Sequence, residues 1–101
     1  LKNYISRINH VHCKDIRKEV FINSINKDLS FRDSFLDGVF TVPGDGCIDY
    51  SPLIKILSNS KYEDWLIIEA EQDPKKANPL EYAKIGHKYL TKIISENGYS
   101  L

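Results

Sequence analysis

The run Trp65-Leu66-Ile67-Ile68 is apolar at every position. A strand with that pattern is covered on both faces, which is the signature of a parallel strand in an α/β sheet. Parallel neighbours need a long crossover between them, usually a helix. The chain supplies both a neighbour and a crossover. "RINHVHC", residues 7–13, alternates, with Ile8, His10 and His12 on one side and Asn9, Val11 and Cys13 on the other. The second strand is predicted over "WLIIEAE", residues 65–71.

Between and after these strands the sequence predicts helices. From Ile16 to about Lys27, Ile16, Val20, Phe21 and Ile25 fall near helical spacing. A short helix over 31–37 has Ser30 as its cap, Asp33 closing a capping box, and Gly38 just past its end. Pro43-Gly44 and Asp45-Gly46 are consecutive turn signals. Ser51 then caps a helix with Pro52 in its first turn and Leu53, Ile54, Ile56 and Leu57 on its apolar face. Asn78 caps the last helix, with Pro79 and Glu81 in its first turn and Leu80, Ala83, Leu90, Ile93 and Ile94 along one side. Strands alternating with helices in this order predict βα units and a parallel sheet.

Two strands do not close such a sheet. The 101 residues contain no methionine and begin at Leu1, so residues 1–101 read as one segment of something longer. Fourteen basic residues balance 14 acidic ones. With no basic cluster, that balance argues against a nucleic-acid or anionic-membrane surface. No apolar run approaches a membrane span and no signal-peptide pattern opens the chain. Cys13 and Cys47 have neither a metal spacing nor a disulfide framework. A reduced, cytoplasmic setting is the expectation.

In parallel α/β sheets, ligands sit beyond the carboxyl ends of the strands. His12 lies at that end of the first strand, and Glu69 and Glu71 at that end of the second. His10 and His12 share a face, as do Ile67, Glu69 and Glu71. If both faces line one interior, an imidazole and a carboxylate converge at its mouth, a donor set suited to a divalent ion such as manganese or cobalt. Taken alone, H-x-H on a strand is more often a hydrogen-bonded pair than a metal site. Glu69 and Glu71 read equally as solvated residues, and Lys14, Asp15 and Arg17 as surface charges. "PGDG" reads equally as a tight turn. His87 reads as structural or exposed, and the parity of Cys13 turns it away from the site toward a helix.

Three stretches change that balance. "INHVHCKDIR", "FLDGVFTVPGDGCIDY" and "WLIIEAEQDPKKANPLEYAKIGHKYL" together resemble the C-terminal part of the inosose dehydratases of inositol catabolism. Their broader relatives are the xylose-isomerase-like sugar isomerases and epimerases, which are (β/α)8 TIM barrels. The resemblance covers about residues 5 to 95, and it is most specific from Val42 to Asp49 and at "EAEQDP". It implies that the chain holds the last two strands of a barrel and their helices.

The resemblance also implies a divalent metal held by four residues, with His12 and Glu69 matching two of them and the other two lying in strands that precede this chain. Arg17 matches an arginine that faces substrate in related epimerases, and Lys14, Asp15 and Glu71 are further candidates for contacts at or near the substrate. The implied activity of the parent protein is dehydration of 2-keto-myo-inositol, a cyclic polyol ketone, to a trihydroxycyclohexane-1,2-dione, with glutathione as a further cofactor. No catalytic base is assigned. The alternatives are sugar isomerisation or epimerisation on the same scaffold, or a catalytically inactive fragment. The exposed strand edges of so small a segment predict self-association into a homo-oligomer.

Overall fold

The computed structural model describes residues 1–100 of the chain. After a 3-10 turn over Lys2–Arg7, the order is β1 (His10–Cys13), β2 (Asp15–Ile16), α1 (Lys18–Asn26), α2 (Phe31–Asp37), β3 (Phe40–Thr41), α3 (Ser51–Asn59), β4 (Trp65–Ile68) and α4 (Pro79–Glu96). β1 and β4 pair in parallel, with His10 opposite Trp65, Val11 opposite Leu66, His12 opposite Ile67 and Cys13 opposite Ile68. A second, antiparallel pair joins Asp15 to Thr41 and Ile16 to Phe40. The parallel pairing is the one that the apolar run at 65–68 predicts, but the expected cover on both faces is not met, since Trp65 is 72% exposed.

The core lies on the Val11, Cys13, Leu66 and Ile68 side of the parallel pair. Cys13, Tyr50, Ile54, Leu57, Tyr62 and Leu90 form its buried centre, with Leu66, Ile68, Ile93 and Ile94 packed around it. Each fully buried side chain of this size contributes about 1.5–3 kcal/mol. On the other face, His10, His12 and Trp65 are exposed. α4 approaches β4 closely because Gly86 carries no side chain: a Cβ there would lie 3.0 Å from Cγ2 of Ile68 and 3.2 Å from Cβ of Val42.

Local chemistry explains most helix boundaries. The Ser30 hydroxyl accepts the Asp33 amide, and Gly38 closes α2 in the left-handed region at φ 89°. The Asn78 side chain accepts the amides of Leu80 and Glu81 at the start of α4. Four boundaries depart from the sequence reading. The first strand starts at His10, where Trp65 begins to pair with it, and residues 2–7 coil instead. Ile16 pairs with Phe40 in β2, so α1 begins only at Lys18. Tyr50, not Ser51, occupies the cap position of α3. The Asp49 carboxylate accepts the Ser51 amide, while the Ser51 hydroxyl accepts from Nδ2 of Asn97 at the end of α4. β4 ends at Ile68, although the Glu69 amide still donates to the Cys13 carbonyl at 3.0 Å. No helix among the described residues is long and apolar enough to cross a membrane.

Candidate active site

Cys13 and Ile68 end the two parallel strands side by side, so the residues that follow emerge from one edge of the molecule. Backbone alternation decides which of them meet. His12 shares a face with Ile67 and therefore with Glu69. Nδ1 of His12 donates to Oε2 of Glu69. Nζ of Lys14 donates to Oε2 of Glu71 and lies 3.7 Å from Oε1 of Glu69. The structure thus brings His12, Lys14, Glu69 and Glu71 into one continuous charged cluster. His10 lies beside it, its ring 5.9 Å from that of His12. His87 is exposed on α4.

Hydrogen bonding from His12 holds the Glu69 carboxyl below its ordinary value of 4.5. Partial desolvation works against that shift, and the Lys14 charge supports it. Cys13, on the opposite face, is fully buried in the core, and burial pushes its thiol up to about 11. Its outward parity is as the alternation predicts. One nitrogen donor and one carboxylate oxygen fit a divalent cation by type. They are two positions of a coordination sphere, and among the described residues no three His, Cys, Asp or Glu side chains converge to hold a metal ion.

Lys14 is held from behind as well. Tyr50 Oη donates to the Lys14 carbonyl at 2.7 Å, and the ammonium sits 4.3 Å from the centroid of the Phe40 ring. That distance is a cation–π contact. Phe40 was not among the residues the sequence singles out. No local pattern marks it, because it meets Lys14 only through the two-residue β2–β3 ladder.

Asp15 and Arg17 have different surroundings. Asp15 is completely buried, and its Oδ1 accepts the amides of Ile16 at 2.8 Å and Ile48 at 3.0 Å. Among the described residues its Oδ2 has no hydrogen-bond partner. The carboxylate anchors the 42–48 loop, and Gly46 makes room for it: a Cβ at Gly46 would fall 2.2 Å from Oδ1 of Asp15. The Arg17 guanidinium is part-buried and points into the protein. Nη1 donates to the carbonyls of Gly38 at 2.7 Å and Phe40 at 3.3 Å. Nη2 donates to Thr41 Oγ1 at 3.1 Å, Asp45 Oδ2 at 2.7 Å and Tyr82 Oη at 3.3 Å. The "PGDG" turn is thus tied to β2 through both Asp15 and Arg17. Sequence reasoning missed Thr41, Asp45 and Tyr82, whose only signal was the Asp-Gly turn at 45–46.

Known proteins share this sequence closely. The chain is 57% identical over 95 residues to an inosose dehydratase of Clostridium botulinum (strain Eklund 17B / Type B), covering 94% of this chain and 32% of that protein. An inosose dehydratase of Mesomycoplasma hyopneumoniae (strain J / ATCC 25934 / NCTC 10110) is 55% identical over 96 residues, covering 94% of this chain and 32% of that protein. The rhizopine catabolism protein MocC of Rhizobium meliloti is 47% identical over 98 residues, covering 97% of this chain and 30% of its own length. The chain therefore spans about a third of the curated relatives it matches. The family model described as xylose isomerase-like TIM barrel matches residues 2–93. Parallel strands flanked by helices, a charged cluster at their carboxyl ends and that match agree: the chain belongs to the xylose isomerase-like TIM barrel family.

Proposed function

We propose that these residues are the last two strand–helix units of a (β/α)8 barrel whose full-length form is a lyase that dehydrates 2-keto-myo-inositol. The observation that carries this reading is the convergence of His12 and Glu69 across the β1–β4 register, at the strand ends where barrel enzymes carry out their chemistry. The similarity to inosose dehydratases supports the substrate class.

In this reading His12 and Glu69 are two ligands of a divalent ion, manganese or cobalt by donor type, with further ligands from elsewhere in the full-length protein. When bound, such an ion supplies Lewis-acid polarisation of a ketone oxygen. The chain's own residues do the rest of the binding on this side. The Lys14 ammonium donates to hydroxyl oxygens of the polyol, and the Glu71 carboxylate accepts from hydroxyl groups. Arg17 lies just beyond the strand end that carries His12, with its guanidinium turned into the protein. The reaction removes a proton from the carbon next to the ketone and expels the β-hydroxyl as water, and the base is assigned to no residue of this chain.

The second reading, isomerisation or epimerisation of a ketose, draws on the breadth of the family itself. It shares proton removal beside the carbonyl and differs in retaining every hydroxyl. Full-length protein carrying these residues, assayed with 2-keto-myo-inositol and a panel of ketoses, tests the two. Appearance of the conjugated dione supports the lyase. Exchange of ketoses without dione formation replaces it with the second reading.

A further inference from the structure

The Arg17 guanidinium has a donor count that decides its role. Its two terminal nitrogens carry four N–H groups, and they face five protein acceptors, from Gly38, Phe40, Thr41, Asp45 and Tyr82. These acceptors occupy the donors of both terminal nitrogens, and the fifth N–H, on Nε, stands outside the clamp. Turning the fork outward would take the guanidinium from the Gly38 and Phe40 carbonyls and leave the Asp45 carboxylate with the Thr41 hydroxyl in place of its ion pair, a loss that a polyol hydroxyl does not offset.

What the clamp holds is informative. Its grip on the Phe40 carbonyl and on Thr41 fixes β3, whose register with β2 places the Phe40 backbone opposite Ile16. The Phe40 ring then lies against the Lys14 ammonium at 4.3 Å, on the lysine that also meets Glu69 and Glu71. We infer that Arg17 is a positioning residue: it fixes β3 so that the Phe40 ring holds the Lys14 ammonium at the Glu69–Glu71 carboxylates, and it does not present its terminal fork to substrate. This rests on the proposal that the Lys14–Glu69 end is the active site, and it adds Phe40 as the residue that sets where the Lys14 cation stands.

A double-mutant cycle tests it, with a readout that needs no turnover. Full-length protein is treated briefly with acetic anhydride, and acylation of Lys14 is measured by peptide mass spectrometry relative to Lys84, which is well exposed on α4. Arg17→Lys and Phe40→Leu are each expected to raise the Lys14-to-Lys84 ratio about two- to fivefold, the span of a cation–π contact at a part-exposed site. The double variant should rise no further than either single one. Phe40→Tyr, which keeps the ring, should leave the ratio unchanged. Asp45→Asn provides a milder lesion of the same clamp if Arg17→Lys does not fold. General unfolding would also raise the ratio, because Lys84 is already exposed and Lys14 is not, so each variant is first required to show the native circular dichroism spectrum and a cooperative unfolding transition. A normal ratio in folded Arg17→Lys or Asp45→Asn protein, or additive effects in the double variant, would overturn the inference. Because labelling needs no catalysis, a failed dehydratase assay leaves this test intact. In the active protein, the same cycle read on KM should be equally non-additive; additivity there would return Arg17 to direct substrate contact.

Discussion

His12 on β1 and Glu69 just past the end of β4 are joined across the end of the ladder, because Glu69 stands two positions beyond the residue that His12 faces. The bond from His12 is the largest cause of the lowered Glu69 pKa. A carboxylate whose folded pKa is depressed adds stability that is present above its unfolded value and is lost as pH falls through the folded value. His12→Ala should therefore move the Glu69 titration up toward 4.5, as read by carboxyl carbon NMR. An unmoved titration would mean that the two side chains do not meet in solution.

In the full-length protein, His12→Ala and Glu69→Gln should each remove a metal ligand and abolish turnover, with metal content falling in parallel. Glu71→Gln, one position outside that pair on the same face, should lose about 10–100-fold, the effect typical of a group that supports a ligand from outside. Activity and metal analysis of the three variants check the ranking. Normal metal content in His12→Ala protein would remove His12 from the ligand set.

Gly46→Ala should destabilise the chain by about 1–3 kcal/mol, the range for forcing an extra methyl into a filled site. The new carbon would meet both Asp15 Oδ1 and the Ile16 carbonyl, which is 2.6 Å away and already accepts the Cys47 amide. Urea unfolding of the two proteins measures the difference. Equal midpoints would show that the 42–48 loop is not seated on Asp15.

The two cysteines should differ sharply in reactivity. Cys13 is buried and its thiol is pushed up to about 11, whereas Cys47 is exposed. The thiolate is the reactive form. At pH 8, iodoacetamide should modify Cys47 in native protein and reach Cys13 only with unfolding, as followed by mass spectrometry. Fast modification of both would contradict the core arrangement around Cys13.

The isolated chain should self-associate. Its parallel sheet has two strands among the described residues, and Trp65, Phe31 and Ile25 are 72%, 67% and 61% exposed. Open sheet edges and apolar surfaces of this kind pair with other chains. Sedimentation velocity across a concentration series should show growing mass, and a concentration-independent monomer would refute it.

Much of this architecture is readable from local signals. The caps at Ser30 and Asn78 needed only neighbouring residues, and strand alternation alone put His12 and Glu69 on one face and Cys13 on the other. The limits lie where contacts are distant or elements very short. A two-residue ladder such as Asp15–Ile16 has no periodicity, so Ile16 reads as the first apolar position of a helix. α1 illustrates a second limit. Phe21, Ile22 and Ile25 are exposed while Ser24 is buried, its hydroxyl satisfied by the Val20 carbonyl at 2.9 Å. The partners of Arg17 lie 21 to 65 residues away in the chain, and no motif announces them.

The contact between Tyr82 and Arg17 gives α4 a hold on residues at the opposite end of the sequence. The connection between β4 and α4 is exposed at Lys75 and Lys76, so a trypsin-like protease that cut there would sever the covalent tie while sparing every strand. After such a cut α4 would be held by packing alone, through Leu90, Ile93, Ile94 and the close approach at Gly86, together with the Arg17 bond to Tyr82. A nick in a surface linker would thus leave the Tyr82 end of the clamp resting on non-covalent contacts alone.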